Sequence, residues 1–381
     1  MSTSGSKTVD DLLAKAQIKV NGNHPWDMQI HSPRVGNRIL RDWSLGLGES
    51  YMDGDWDCAA LDEFFYRVLK EDIDEQVKGL ARTRLVAEVI RAKLFNLQKK
   101  ERAFQVGEMH YNVGNDLFEK MLDPLMIYSC AYWDGATNLA QAQINKLDMI
   151  CKKLQLKPGE SLLEIGCGWG GLAKYAATHY GVQVLGITIS SEQKTLAEKN
   201  CVGLPIEIQL MDYRDLRGRF DKVVSVGMFE HVGYKNYPDF FNVVNRLMNP
   251  EGIFLLHTIG SYVTVKKTDA WIDRYIFRNG YLPSASVLAK SVERYFQIDD
   301  WHNFGHDYDK TLMAWLANFE SAWPALQDRY EPRFARMWRY YLCCCAGFFR
   351  SGQGQLWQLV LTKRHRKDTY RSYRPSLSAI A

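Results

Sequence analysis

From residue 161 onward the chain is punctuated by short apolar runs of strand length: SLLEIG (161–166), QVLGITIS (183–190), IEIQLMD (206–212), FDKVVSVGM (220–228) and GIFLLHTIG (252–260), then YFQIDDW (295–301) and LWQLVLTKR (356–364). Helical stretches separate most of them. Strands that alternate with helices cannot pair with their sequence neighbours through tight hairpins. They are joined by crossovers, and the result is an α/β fold with a doubly wound, Rossmann-like, mostly parallel sheet. Ligands of such sheets gather beyond the carboxyl ends of the strands, so the chemistry is expected just after each run.

The first run ends in LLEIGCGWGG, which contains Gly166-x-Gly168-x-x-Gly171 and so satisfies a dinucleotide-binding pattern. A glycine turn between strand and helix lets backbone N–H groups approach a nucleotide-like ligand, but does not say which one. A dinucleotide site needs a carboxylate at the end of the second strand to hold the ribose. Here the run VLGITISSEQ offers Thr188, Ser190 and Gln193, with no acid before Glu192. Glu164 instead precedes the first glycine by two residues, where a carboxylate favours the ammonium end of a methionine moiety. EIGCGWGG matches the E-x-G-x-G-x-G pattern of class I S-adenosylmethionine methyltransferases. The plainer alternative is that the glycines serve only tight strand-to-helix packing.

The 381 residues carry a formal charge of only +4, which does not demand nucleic acid as a partner. No apolar run approaches the roughly 18 residues that span a bilayer, and the polar start MSTSGSKTVDD lacks the apolar core of a signal peptide. A cytoplasmic protein is the expectation. Eight cysteines without a C-x-x-C pair argue against a zinc site and for a reducing compartment; no metal is expected. Cys343, Cys344 and Cys345 follow a helical pattern and read as helix packing.

Composition suggests three divisions: a small mixed or helical domain over residues 1–77, a basic helical linker over 78–105, and a catalytic domain over 106–381. The segment 78–102 has helically spaced apolar residues and eight Lys or Arg against two Glu. It reads either as an amphipathic helix on an anionic membrane surface or as an interdomain helix with a solvated basic face. The tail KRHRKDTYRSYR (363–374), with six Lys or Arg against one Asp, carries a similar choice between membrane contact and a solvated end.

Four further stretches sharpen the reading. MIYSCAYW (126–133), EIGCGWGG, GMFEHVG (227–233) and LLHTIG (255–260), together with HYNVGNDLF and WHNFGHDYDKTLMAW, resemble in order the cyclopropane-fatty-acyl-phospholipid synthases. The similarity extends to SLGLGESYMDGDWD near the start, a mark of the longer bacterial enzymes. The resemblance implies transfer of a methylene group from S-adenosyl-L-methionine to the cis double bond of an unsaturated phospholipid. It also implies a homodimer bound peripherally at the inner face of the cytoplasmic membrane, in which the N-terminal domain binds lipid or pairs subunits.

An alkene attacking a sulfonium methyl leaves a carbocation, and ring closure then needs loss of a proton. The site must exclude water and hold a base that is not itself alkylated. The resemblance implies bound bicarbonate as that base, held by Cys130, Glu230, His257, Ile259 through its backbone, and Tyr308. Their chemistry suits an anion: a neutral thiol, an imidazole and a phenol donate hydrogen bonds, and a carboxylate accepts the proton that makes the ion bicarbonate. Each also has a plainer structural reading as a core cysteine, a buried histidine or a helix cap.

For S-adenosylmethionine the resemblance implies Tyr128 and Ser129 at the methionine end. It implies the turn formed by Leu162, Leu163, Glu164, Ile165, Gly166, Cys167, Gly168, Trp169 and Gly170 around the adenosyl and methionine portions. Beyond the second strand come Thr188, Ile189, Ser190, Ser191, Glu192 and Gln193, with Asp212 and Tyr213 at the adenine edge. Two rivals stand beside this reading. One is a methyltransferase that stops at simple methylation of an acyl chain or an amine, the amine case needing no bicarbonate holder; the other is a non-catalytic binding protein, which needs no acid–base set.

Overall fold

The computed structural model describes residues 4–71, 114–265 and 268–375, which form two compact units. The basic segment 78–105 and the stretch HYNV at 110–113 lie outside the described residues. Among the described residues no helix is long and apolar enough to cross a membrane.

One unit contains residues 114–265, 279–307 and 355–375 and is built on a seven-stranded sheet. Its strands are β1 (Ser161–Ile165), β2 (Gln183–Thr188), β3 (Ile206–Leu210), β4 (Phe220–Val226), β5 (Met248–Ser261), β6 (Gln297–Asn303) and β7 (Gly354–Thr362). The spatial order is β3-β2-β1-β4-β5-β7-β6. Pairs β1–β2, β1–β4, β2–β3 and β4–β5 are parallel, and β6 pairs antiparallel with β7. The strand order reverses at β1, which places the glycine turn at the topological switch point.

The helices of this unit are α1 (Asn115–Met121), α2 (Leu139–Lys153), α3 (Gly171–Tyr180), α4 (Ser191–Asn200), α5 (Tyr237–Leu247) and α6 (Ala285–Val292). Successive strand residues face opposite sides, and the core divides accordingly. Leu163, Val223, Phe254 and Leu256 pack against Phe240, Phe241 and Val244 of α5 and Leu288 of α6. Leu162, Val224, Ile253 and Leu255 pack against Leu147 and Ile150 of α2 and Leu172 and Ala176 of α3. Both faces of the strands are therefore apolar, as the uninterrupted runs in the sequence require.

The other unit groups residues 4–71 with 268–278 and 308–354, a different division from the expected break between residues 1–77 and 106–381. The physical reason is core supply. The helix Leu61–Lys70 buries Leu61, Phe64, Phe65 and Val68. A stretch of some seventy residues has little apolar surface of its own to cover such a face. The helix Pro332–Arg350 covers it, with Gly347 lying close against Phe65 and Tyr66 and the Tyr340 ring meeting Phe65 edge-on at 4.9 Å. Arg336 of the same helix donates to the carbonyl of Trp56 and to the Asp57 carboxylate. Trp271, fully buried, donates to Met52 Sδ and packs on Tyr340. Cys343 is buried in this packing, which pushes its thiol upward, in keeping with helix packing rather than nucleophilic use.

Candidate active site

The glycine turn leaves β1 and enters α3 with Gly166, Gly168 and Gly170 all at positive φ. Cys167 and Gly166 donate their N–H groups to the Ile187 carbonyl, which fixes the turn to the end of β2. A Cβ at Gly171 would lie 2.2 Å from the Leu125 carbonyl oxygen, so this glycine serves packing. A Cβ at Gly168 would meet nothing within 4 Å. The turn thus presents bare backbone to open space at Gly168, a cradle of the kind that a nucleotide-like ligand requires.

Glu164 is buried at the end of β1, with Oε2 lacking a hydrogen-bond partner among the described residues. Burial raises its carboxyl above the ordinary range, and the Lys146 charge opposes that shift. An orphaned carboxylate oxygen beside the turn fits the ammonium of a methionine moiety. Leu162, Leu163 and Ile165 bury their side chains in the two core layers, and Cys167 packs with Ala197 and Ile208. Trp169 donates to Asn115 Oδ1 and packs on Phe118, whose ring meets Tyr128 at 5.1 Å. Helix α1 is thereby tied to the turn.

Beyond β2, Thr188 Oγ1 donates to Gln193 Oε1, and Ser190 caps α4 by accepting from Gln193 N–H. Thr188, Ser190 and Gln193 are buried, Ile189 is half-buried, and Ser191 and Glu192 are exposed. After β3, Asp212 is buried with its carboxylate bound by Arg214 of the same turn, and Tyr213 lies edge-on to Phe240.

A second group forms after β4 and along β5. Glu230 Oε1 accepts the Ile259 N–H at 2.6 Å, so this amide orients the carboxylate. Glu230 Oε2 is buried without a partner among the described residues, and burial raises the carboxyl to about 7. His257, two residues before Ile259 on β5, is buried and has Gln358 Nε2 at 3.2 Å from Nδ1. With the amide donating, Nδ1 accepts and the proton sits on Nε2, which has no partner among the described residues. Burial first, then the charges of Lys146 and Lys153, hold the ring neutral by pushing its pKa well below the usual value. A neutral imidazole N–H and a carboxyl oxygen, both buried and unsatisfied, suit a small oxyanion that carries one proton.

Cys130 is fully buried and its thiol donates to the Ala131 carbonyl. Tyr308 belongs to the other unit, stacked on Phe349 at 4.5 Å. Gln358, Gln143 and Lys146 are site residues that the sequence reading missed. An isolated amide in a strand, or a lysine in an amphipathic helix, gives no signal without its partners.

Strand order, glycine turn and orphaned Glu164 together define a class I S-adenosylmethionine methyltransferase fold. The profile of the mycolic acid cyclopropane synthetase family matches residues 98–359. The chain is 54% identical over 357 residues to the cyclopropane-fatty-acyl-phospholipid synthase of Escherichia coli (strain K12), covering 94% of this chain and 93% of that one. It is 33% identical over 355 residues to the tuberculostearic acid methyltransferase UfaA1 of Mycobacterium tuberculosis, covering 88% and 82%. Of solved structures, the mycolic acid cyclopropane synthase CmaA1 complexed with SAH and CTAB matches with a TM-score of 0.64 at 31% identity, over 68% of this chain and 98% of that one. The chain belongs to the mycolic acid cyclopropane synthetase family, as the resemblance of its motifs implied.

Proposed function

We propose that this protein transfers a methylene group from S-adenosylmethionine to the cis double bond of an unsaturated phospholipid acyl chain, and that a bicarbonate ion held beside the reacting carbon takes the proton released on ring closure. S-adenosylmethionine, when bound, supplies the electrophilic methyl, and bicarbonate supplies a base that alkylation does not consume. The chain's own residues do the rest. Glu164 meets the cofactor ammonium, Tyr128 and Ser129 border the methionine end, and the Gly166–Gly170 turn lies along the adenosyl portion. Thr188, Ser190 and Gln193 shape its far wall, with Asp212 and Tyr213 at the adenine edge.

Glu230, aimed by the Ile259 amide, accepts the proton that bicarbonate carries. His257 donates from Nε2 in the tautomer that Gln358 sets. Cys130 as a neutral thiol is a further donor, and the Tyr308 phenol is one on the strength of the family resemblance alone. The observation that carries this reading is the pair of buried atoms Glu230 Oε2 and His257 Nε2, each without a hydrogen-bond partner among the described residues, on a carboxyl held by the Ile259 amide and a ring two residues earlier on the same strand. Methylation of an amine, which forms no carbocation, would not call for this pair.

A membrane substrate and basic segments support peripheral contact with the inner face of the cytoplasmic membrane, by a homodimer in which the N-terminal region binds lipid or pairs subunits. The test is incubation with S-adenosylmethionine and vesicles of cis-unsaturated or saturated phospholipid, followed by mass spectrometry and NMR of the acyl chains. A gain of CH2 with loss of vinyl protons, from unsaturated lipid alone, is the expected result. Methylated products that keep a double bond would overturn it.

A further inference from the structure

Helix α2 carries two fully buried polar side chains one turn apart, Gln143 and Lys146, on the face that also buries Leu147 and Ile150. Gln143 Nε2 donates to the Ser129 carbonyl at 2.9 Å and reaches the Ile127 carbonyl at 3.4 Å. The hydrogen-bond partner of the Lys146 ammonium among the described residues is Ser129 Oγ at 2.9 Å. Both side chains therefore converge on one short segment, 127–130, whose Tyr128, Ser129 and Cys130 figure in the proposed reaction.

A methionine would fill the place of Lys146 without the cost of desolvating an ammonium, and buried charges are costly unless something uses them. The surroundings of Lys146 supply that use. Burial lowers its pKa, and Asp123, Cys130 and Glu164 are the groups whose fields oppose the shift. Asp123 is itself committed to the same segment, accepting the N–H groups of Leu125 and Ile127. The ammonium thus stands between the loop that carries Ser129 and the carboxylate at the end of β1.

We infer that Lys146 is a positioning residue for the transfer reaction: with Gln143 it latches segment 127–130 through Ser129 and sets that segment opposite Glu164, so that the methionine end of the cofactor is bound in one place. The inference rests on the reading of the site as an S-adenosylmethionine site. It assigns to α2, a helix otherwise devoted to the core, a role in cofactor placement. Lys146 itself needs no contact with the reacting atoms.

The test uses the full chain and three variants, Lys146→Met, Ser129→Ala and the double variant. S-adenosylhomocysteine affinity is measured by calorimetry, KM for S-adenosylmethionine and for lipid by product formation, and backbone exposure of peptide 126–133 by hydrogen–deuterium exchange without ligand. Lys146→Met should weaken S-adenosylhomocysteine binding and raise KM for S-adenosylmethionine by about tenfold or more, leave KM for lipid within about twofold, and speed exchange in 126–133. Ser129→Ala should show the same pattern to a smaller degree, and the double variant should lose no more than Lys146→Met alone.

Wild-type binding and exchange in Lys146→Met, or losses that multiply in the double variant, would overturn the inference. Should Lys146→Met fail to fold, Ser129→Ala decides by itself: unchanged exchange and affinity would refute the latch. Failure of the cyclopropanation reading looks different, as wild-type protein that binds S-adenosylhomocysteine yet leaves olefins intact. Wild-type protein that binds no S-adenosylhomocysteine would overturn both.

Discussion

Glu230 sits buried with one oxygen clipped to an amide and the other unsatisfied, and that asymmetry has a pH signature. Its carboxyl is raised to about 7, first by burial and against the hydrogen bond from the Ile259 amide. The proposed role needs the ionised form, so kcat/KM should rise as pH increases through about 7 and level off above it. Glu230→Gln should remove that limb and lower turnover by about 10²- to 10⁴-fold, while S-adenosylhomocysteine affinity stays within roughly threefold. Equal losses in affinity and turnover would refute the role. Stability carries the opposite sign: between the ordinary carboxylate range and about 7 the unfolded chain binds fewer protons at this group than the folded one, so its contribution to stability falls as pH rises. Glu230, just after β4, and His257, within β5, were legible because both stand in recognisable motifs. Sequence reading could not reach Gln358, which acts only by fixing a tautomer across the sheet, or Lys146, whose helical spacing reads as an ordinary amphipathic face.

Where β1 passes into α3, Gly168 and Gly171, three residues apart, do different work, and substitution separates them. Gly168→Ala meets no neighbour but must hold a side chain at φ +52, a strain of about 1 kcal/mol. With the cofactor placed as proposed, the added methyl takes up its space, so binding of S-adenosylhomocysteine should fall far more than the melting temperature. Gly171→Ala would place a methyl against the Leu125 carbonyl, an overpacking that costs about 1–3 kcal/mol. Here the melting temperature should fall first. Calorimetry and thermal unfolding on both variants check the pair, and matching profiles would refute the division of labour. The strands were legible in the sequence because buried parallel strands are apolar on both faces and so appear as unbroken runs. The antiparallel β6–β7 edge was less so, since insertion of the last strand between β5 and β6 depends on contacts far apart in the chain.

At the scale of the molecule, chain order and spatial grouping part company. Residues 308–354 follow six strands of the sheet unit in sequence yet complete the core of the unit that holds residues 4–71, a pairing no local pattern announces. The basic tail is a similar case. Lys363 donates to the Met248 carbonyl, Arg364 to the Glu293 carbonyl, Arg366 pairs with Glu251 and Arg374 with Asp300. Tyr370 is buried with its hydroxyl on the Lys153 carbonyl. Four of the six cations of residues 363–374 are therefore engaged by the same unit, and the tail acts as a clasp on the sheet rather than as a solvated end. An anionic surface attracts each nearby cation by about 1 kcal/mol, a gain that falls with salt. The proposed electrostatic attraction to lipid then falls to the eight Lys or Arg of residues 78–102, read from the sequence alone. Replacing Arg82, Arg84, Arg91 and Lys93 by Gln should weaken binding to anionic vesicles by about tenfold or more and flatten its salt dependence. Lys367→Gln with Arg371→Gln should change it by no more than about threefold. Cosedimentation with anionic and neutral vesicles at low and high salt measures both. If the tail variant lost as much binding as the other, the clasp would have to double as the membrane contact, and the assignment to residues 78–102 would fail.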